Sequence, residues 1–98
     1  MNFDLEHVRP FLQRLAPLID AGFGLTEIDR VVSLAESMEH DDEQTLEFQI
    51  QYGNQRSAFR VGIFMDDIDA PDMYFFEPAG LAERIDAEME SFCEELGI

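Results

Sequence analysis

The chain has 98 residues, with 22 acidic side chains against six basic ones, and its formal net charge is −16 at pH 7. Apolar residues make up 46% of it, which excludes a disordered acidic tail, because such tails lack the hydrophobic residues that offset chain entropy. The acidity also argues against direct binding to nucleic acid or to an anionic membrane, since both require a basic surface. We therefore expect one small folded domain covering residues 1–98.

The sequence lacks the residues that several kinds of catalytic and metal-binding site require. All six basic residues are arginine, so a P-loop lysine and a Schiff base are excluded. The single cysteine, Cys93, cannot form an intramolecular disulfide, and His7 and His40 are too few to complete a usual four-ligand zinc site with it. We therefore expect a non-enzymatic protein without cofactor or metal. We also expect it in the cytoplasm, because no apolar run approaches the roughly 20 residues of a membrane span.

Residues 4–21 have the periodicity of an amphipathic helix. Its apolar stripe consists of Leu5, Val8, Leu12, Leu15 and Ile19. Pro10 and Pro17 oppose an uninterrupted helix, because an internal proline removes a hydrogen bond and clashes with the preceding turn. The pattern therefore predicts a helix that begins near Pro10 or kinks there, and that ends at Gly22 and Gly24.

Residues 26–38 fit either a helix or a strand, and we favour the helix. One helical face would carry Ile28, Val31, Val32, Ala35 and Met38. Thr26 with Asp29 resembles a capping box, which favours a helix beginning there. The adjacent β-branched residues Val31 and Val32 favour a strand instead.

Residues 44–65 predict a β-hairpin with strands 44–52 and 55–65. Apolar and polar residues alternate in both, and Gly53-Asn54 between them is a two-residue turn signal. With these two residues as the loop, Tyr52 faces Gln55, Phe48 faces Phe59, Leu46 faces Val61 and Glu47 faces Arg60. This register places apolar side chains opposite apolar ones and an acid opposite a base.

The C-terminal third predicts a turn or loop over 66–72, a short strand over 73–76 and a helix from Pro78 to Gly97. The last helix has an apolar stripe of Leu81, Ile85, Met89, Phe92 and Leu96. Together the elements predict an α+β fold, in which an antiparallel sheet of three to four strands packs against N- and C-terminal helices.

The negative charge is distributed unevenly, with a net −2 in residues 1–30 and −14 in residues 31–98. Such clustering destabilises the folded state, because like charges repel one another, and it therefore indicates that the acidic surface serves a function. The acids that we expect to bind a partner are Asp41, Asp42, Glu43, Asp66, Asp67, Asp69, Asp72, Glu83, Asp86, Glu90 and Glu94. We also expect Phe64 and one of Phe75 or Phe76 on the other face of the sheet, where an aromatic side chain would anchor a partner.

The aspartates of 66–72 also suit a divalent cation, because Ca²⁺ and Mg²⁺ prefer oxygen ligands. Their spacing is not that of an EF-hand, since Pro71 stands where a further alternate ligand would fall and no glutamate closes a twelve-residue loop. Aspartate is also a common turn residue whose side chain bonds the local backbone. A solvated turn or a partner contact is thus the alternative, and cation binding stays open.

In composition and size the chain resembles the acidic phage-type anti-restriction and anti-CRISPR proteins, with which it shares no motif. This resemblance implies a nucleic-acid mimic that blocks a basic, nucleic-acid-binding surface of a partner protein or complex. An immunity protein, an antitoxin or a secretion chaperone that masks a basic toxin or effector is the alternative, and an ordinary domain from a salt-adapted organism is a further one. Homodimerisation is compatible with each.

Overall fold

The computed structural model describes residues 3–67, 70–76 and 78–97, and there it has three α-helices and three strands. In chain order the elements are α1 (Val8–Leu15), α2 (Leu25–Ser37), β1 (Glu43–Tyr52), β2 (Gln55–Asp67), β3 (Ala70–Phe75) and α3 (Ala79–Leu96). Short 3₁₀ turns, Leu5–His7 and Ala16–Leu18, flank α1. The strands form one antiparallel sheet in the order β1-β2-β3, and the predicted α+β fold is confirmed.

Both prolines of the first predicted helix lie at positions where proline destabilises a helix only slightly. Pro10 is the third residue of α1, and proline is tolerated in the first turn, where most N–H groups have no partner within the helix. Pro17 lies in the 3₁₀ turn that follows, and the backbone is extended at Ile19. The helical segment therefore ends before Ile19 rather than at residue 21.

Residues 25–37 form a helix, which confirms the helix that we favoured over a strand for this segment. The predicted capping box at Thr26 is wrong. The N-cap is Gly24, whose backbone N–H donates to Oε1 of Glu27 at 2.8 Å. A glutamate at the third helical position reaches back in this way because the first N–H groups lack intrahelical acceptors. The predicted apolar face is confirmed, since these residues are buried: Ile28, Val31, Val32, Ala35 and Met38.

Strands β1 and β2 pair in the predicted register. Leu46 lies opposite Val61, and Tyr52 lies opposite Gln55 across the turn. Gly53 has a φ of +63°, the left-handed conformation that a tight hairpin turn requires and that glycine adopts without strain.

The predicted loop over 66–72 is wrong, because the sheet continues through most of it. β2 extends to Asp67, which lies opposite Ala70, and the register shifts between Phe64 and Asp67. The N–H of Phe76 donates to the carbonyl of Arg60, so it points toward β2. Because the direction of the backbone N–H alternates along a strand, the backbone nitrogen of Pro71 points to the outer edge of β3. Proline fits there because an edge position needs no donor.

The core lies between the sheet and the helices. The ring of Phe11 on α1 lies 6.0 Å from that of Phe75 on β3 and 5.4 Å from that of Phe92 on α3, centroid to centroid. Phe23 packs edge-on against Phe59, with ring centroids 5.4 Å apart. In the part of the chain that the structure describes, no polar or charged side chain is buried.

Candidate partner-binding surface

One face of the sheet is covered by the helices and the other is open. Residues opposite one another in an antiparallel pair share a face, so the register determines which side chains lie on the uncovered side. This surface, the open face, comprises Glu43, Thr45, Glu47, Gln49, Gln51, Arg56, Ala58, Arg60, Gly62, Phe64, Asp72, Tyr74 and Phe76.

Two acidic segments that are distant in the sequence meet at one end of the sheet. The N–H of Asp41 donates to the carbonyl of Met65, and the N–H of Met65 donates to the carbonyl of Asp42, both at 2.8 Å. This pair of bonds holds residues 41–43 beside the end of β2, where the backbone continues through residues 66–67. We call residues 41–43, residues 66–67 and Asp72 the acidic end of the sheet.

Asp72 belongs to this end through a row of side chains that crosses all three strands. Phe64 on β2 lies opposite Glu43 on one side and opposite Asp72 on the other. Glu43 and Asp72 are exposed, and Phe64 is half-buried. Because directly opposite residues lie roughly 5 Å apart, an aromatic ring is flanked here by two solvent-facing carboxylates.

Asp41 and Asp42 differ in what their side chains do. The carboxylate of Asp42 accepts a hydrogen bond from the N–H of Glu39 at 2.9 Å, which closes the turn before β1. Asp41 has a φ of +67°, a conformation that aspartate tolerates better than most residues. Its side chain is 70% exposed, with Oδ2 3.5 Å from Nδ1 of His40. The carboxylate of Asp41 is therefore accessible to a partner, whereas that of Asp42 is already engaged.

An aromatic patch continues the open face beyond this row. Tyr74 and Phe76 are 49% and 47% exposed, and both lie next to Gly62. A Cβ at Gly62 would lie 3.3 Å from Cε2 of Phe76, so the missing side chain makes room for the ring. Phe64, Tyr74 and Phe76 form the aromatic patch. The predicted placement of Phe64 and Phe76 on this face is confirmed, and Phe75 faces the core. Tyr74 was missed, although it alternates with Phe75 and therefore lies on the same face as Phe76.

The arginines are largely engaged within the protein. Their described contacts are Arg9 with Asp29, Arg14 with Glu88 and Glu95, Arg30 with the ring of Phe48, Arg60 with Glu47, and Arg84 with the hydroxyl and ring of Tyr52. Hydrogen bonds to the two glutamates raise the pKa of Arg14, and the bond to the Tyr52 hydroxyl raises the pKa of Arg84. None of these described ion pairs includes an acid predicted to bind a partner.

The predicted acids of the last helix form a separate surface. Glu83, Asp86, Glu90 and Glu94 are exposed along α3, over about 16 Å at 1.5 Å per residue. Because α3 belongs to the helical layer, this stripe does not share the open face. The structure thus groups the predicted acids around residues 41–43, 66–67 and 72, and places those of 83–94 elsewhere. Asp69 lies outside the described residues.

A cluster near the N-terminus has the composition of a metal site, but its hydrogen bonds serve the first turn. Asp4, Glu6 and His7 have ligand atoms within 4.8 Å of one another. The N–H of Asp4 donates to Nδ1 of His7 at 2.9 Å, and Nε2 of His7 lies 3.7 Å from Oε1 of Glu6. Nδ1 is therefore engaged with the backbone, and His7 acts as a capping residue.

No protein-family model, curated protein or solved structure matches the chain. Among the described residues, no helix combines the length and the apolar composition needed to cross a bilayer.

Proposed function

We propose that this chain is a non-enzymatic binding protein that blocks a basic, nucleic-acid-binding surface of a partner protein or complex by mimicking nucleic acid. The observation that carries the proposal is the acidic end. Hydrogen bonds between Met65 and both Asp41 and Asp42 bring two acidic segments of the chain to one place. The described arginine bridges lie outside it.

Convergence of like charges at one end of a sheet destabilises the folded protein, because each carboxylate raises the electrostatic energy of the others. A basic partner removes this penalty and adds favourable ion pairs. If the partner surface normally binds nucleic acid, it also carries the lysines and arginines that a phosphate backbone requires. An acidic surface of this kind therefore competes for the same groups.

The spacing of the carboxylates is compatible with this role. Glu43 and Asp72 lie on β1 and β3, with β2 between them, so they are two strand spacings or roughly 10 Å apart. The α3 acids recur about once per turn of roughly 5.4 Å. Since the rise per phosphate along one DNA strand is ~3.4 Å, the first spacing corresponds to about three phosphates and the second to between one and two. A basic groove with flexible side chains accommodates a mismatch of this size.

A second candidate is an immunity protein, antitoxin or chaperone that masks a basic toxin or effector. The aromatic patch favours it, because mimicry of phosphates needs charge alone, whereas exposed Tyr74 and Phe76 are typical of the anchors of a dedicated protein–protein interface. The two candidates differ in whether nucleic acid competes with the chain for its partner.

Affinity capture from the lysate of the natural host, with duplex DNA as competitor, tests the proposal. We expect a basic, nucleic-acid-handling protein that is released both by DNA and by salt, with a log–log salt dependence. Capture of one toxin-like protein that DNA does not release would replace the proposal with the second candidate. Capture of no basic protein at low salt would contradict both.

Paired charge-reversal variants locate the surface. The test variant combines Asp41→Lys, Glu43→Lys and Asp72→Lys, all at the acidic end. The control combines Glu6→Lys, Asp20→Lys and Glu36→Lys, which change the net charge equally on exposed positions elsewhere. We expect the test variant to lose the partner and the control to retain most of its affinity. Equal losses would show that overall charge, and not the acidic end, directs binding.

A further inference from the structure

We propose that the open face binds an arginine side chain of the partner, with its guanidinium stacked on the aromatic patch and paired with Glu43 or Asp72. This inference rests on the proposed function, which makes the partner basic. It adds the identity of the basic side chain and the place where that side chain lies.

The open face interleaves aromatic rings and carboxylates. The row of Glu43, Phe64 and Asp72 is followed on the same face by the row of Thr45, Gly62 and Tyr74. Residues two apart on a strand are separated by about 7 Å, so Asp72 and Tyr74 are neighbours on β3. A planar cation bound here contacts a ring and a carboxylate together.

The chemistry of this surface selects against other kinds of partner group. An apolar side chain docked on the patch would bury the carboxylates beside it without a partner, which is costly. A lysine would pair with Asp72, but its ammonium is a compact, strongly hydrated charge with no flat surface to stack on a ring. A guanidinium both stacks on aromatic faces and forms forked bonds to a carboxylate.

A second copy of the chain is a poorer occupant. It carries the same net charge of −16, and its own open face would bring Glu43 and Asp72 toward the same carboxylates. The open face carries two arginines. Arg60 already donates to Glu47 at 2.8 Å, and Arg56 lies opposite Gln51 near the hairpin turn, at the other end of β2 from Phe64. Charge complementarity therefore favours a basic partner over self-association through this face.

A titration of the ¹⁵N-labelled protein with an oligo-arginine peptide and an oligo-lysine peptide of equal length tests the inference by NMR. We expect the arginine peptide to shift the amides of Gly62, Phe64 and Tyr74 and to bind about fivefold more tightly than the lysine peptide. Shifts confined to α3, or equal affinity for the two peptides, would overturn the inference. Open-face shifts that depend on the concentration of the protein alone would assign the surface to a second copy instead.

Two variants separate stacking from charge. Tyr74→Leu combined with Phe76→Leu keeps the face apolar but removes the rings, and we expect it to abolish the preference for arginine. The control combines Glu83→Gln with Asp86→Asn on α3. We expect it to lower the affinity for both peptides equally and to leave the preference for arginine unchanged. A preference that survives the leucine variant would overturn the inference.

The peptide experiment involves no partner protein, so it fails independently of the proposed function. Loss of the arginine preference would leave the DNA-competition result intact. Absence of a nucleic-acid-handling partner in the capture experiment would leave the peptide result intact.

Discussion

Arg14 on α1 donates from Nε to Oε2 of Glu88 on α3 at 2.7 Å, and its Nη1 lies 2.5 Å from Oε2 of Glu95. One guanidinium thus holds two carboxylates that are two turns apart on the same helix. Its central carbon also lies 6.0 Å from the centroid of the Phe92 ring. Arg14 therefore joins α1 to α3 and reduces the self-repulsion of an acidic helix.

Replacing this arginine is expected to destabilise the protein. Arg14→Gln leaves Glu88 and Glu95 unpaired on α3, so the midpoint of thermal unfolding, followed by circular dichroism, falls. The matched control is Arg9→Gln, which removes an exposed pair with Asp29 and is expected to cost about 0.5 kcal/mol or less. A smaller effect at Arg14 than at Arg9 would contradict the bridging role.

The pH dependence of this effect follows from the raised pKa of Arg14, which its bonds to Glu88 and Glu95 produce. A raised pKa means that the folded protein holds the proton more tightly, so the stabilisation is present at every pH below the pKa of the unfolded state and is lost only in strong alkali. The difference in unfolding midpoint between wild type and Arg14→Gln is therefore expected to stay constant from about pH 7 to about pH 10.

The register of the β1–β2 hairpin was predictable to the residue because its determinants are local, although β1 begins one residue earlier and β2 ends two residues later than predicted. Side chains alternate with a period of two, and a two-residue turn at Gly53 and Asn54 leaves one register that opposes Phe48 with Phe59. The segment 66–72 was misassigned because aspartate and proline are typical of turns. Pairing with β2 outweighs that local preference, and proline is tolerated at an edge position such as that of Pro71.

The acidic end follows from the predicted register, although the charge runs alone do not reveal it. Continuing that register past the pair of Leu46 and Val61 brings Asp42 opposite Met65, and backbone hydrogen bonds join Met65 to Asp41 and Asp42. The separation of Glu83 and Glu94 from that end could not be derived, because it depends on which side of the sheet α3 packs.

Gly22 is expected to be intolerant of any side chain. It has a φ of +94°, and a Cβ there would lie 2.3 Å from the carbonyl oxygen of Gln49 and 2.9 Å from Cα of Ile50. Both atoms are backbone and cannot move aside, so Gly22→Ala is expected to cost about 3 kcal/mol or more in chemical denaturation. Gly80→Ala is the control, since nothing lies within 4 Å of its Cβ and alanine favours the helix by up to about 1 kcal/mol. Equal stability of the two variants would contradict the close approach of Gly22.

Asp41 allows backbone strain to be separated from charge. Its φ of +67° suits glycine, so Asp41→Gly is expected to be more stable than Asp41→Ala by about 1 kcal/mol. Both variants remove the same carboxylate, so both should weaken partner binding to the same extent. Urea unfolding and a binding assay on the pair measure the two effects, and identical stabilities would show that the turn relaxes out of the left-handed conformation.

Truncation should destabilise the protein much more at Phe11 than at Phe76, since the first ring supports the fold and the second faces solvent. Phe11 is fully buried between the sheet and α3, and Phe11→Ala is expected to cost about 3–5 kcal/mol in urea unfolding, from lost burial and the cavity left behind. Phe76 is 47% exposed, so Phe76→Ala is expected to cost less than about 1 kcal/mol. A large loss of stability in Phe76→Ala would show that this ring supports the fold. A small loss would leave contact with a partner as the reason for its exposure, because proteins seldom expose clustered aromatic side chains without such a use.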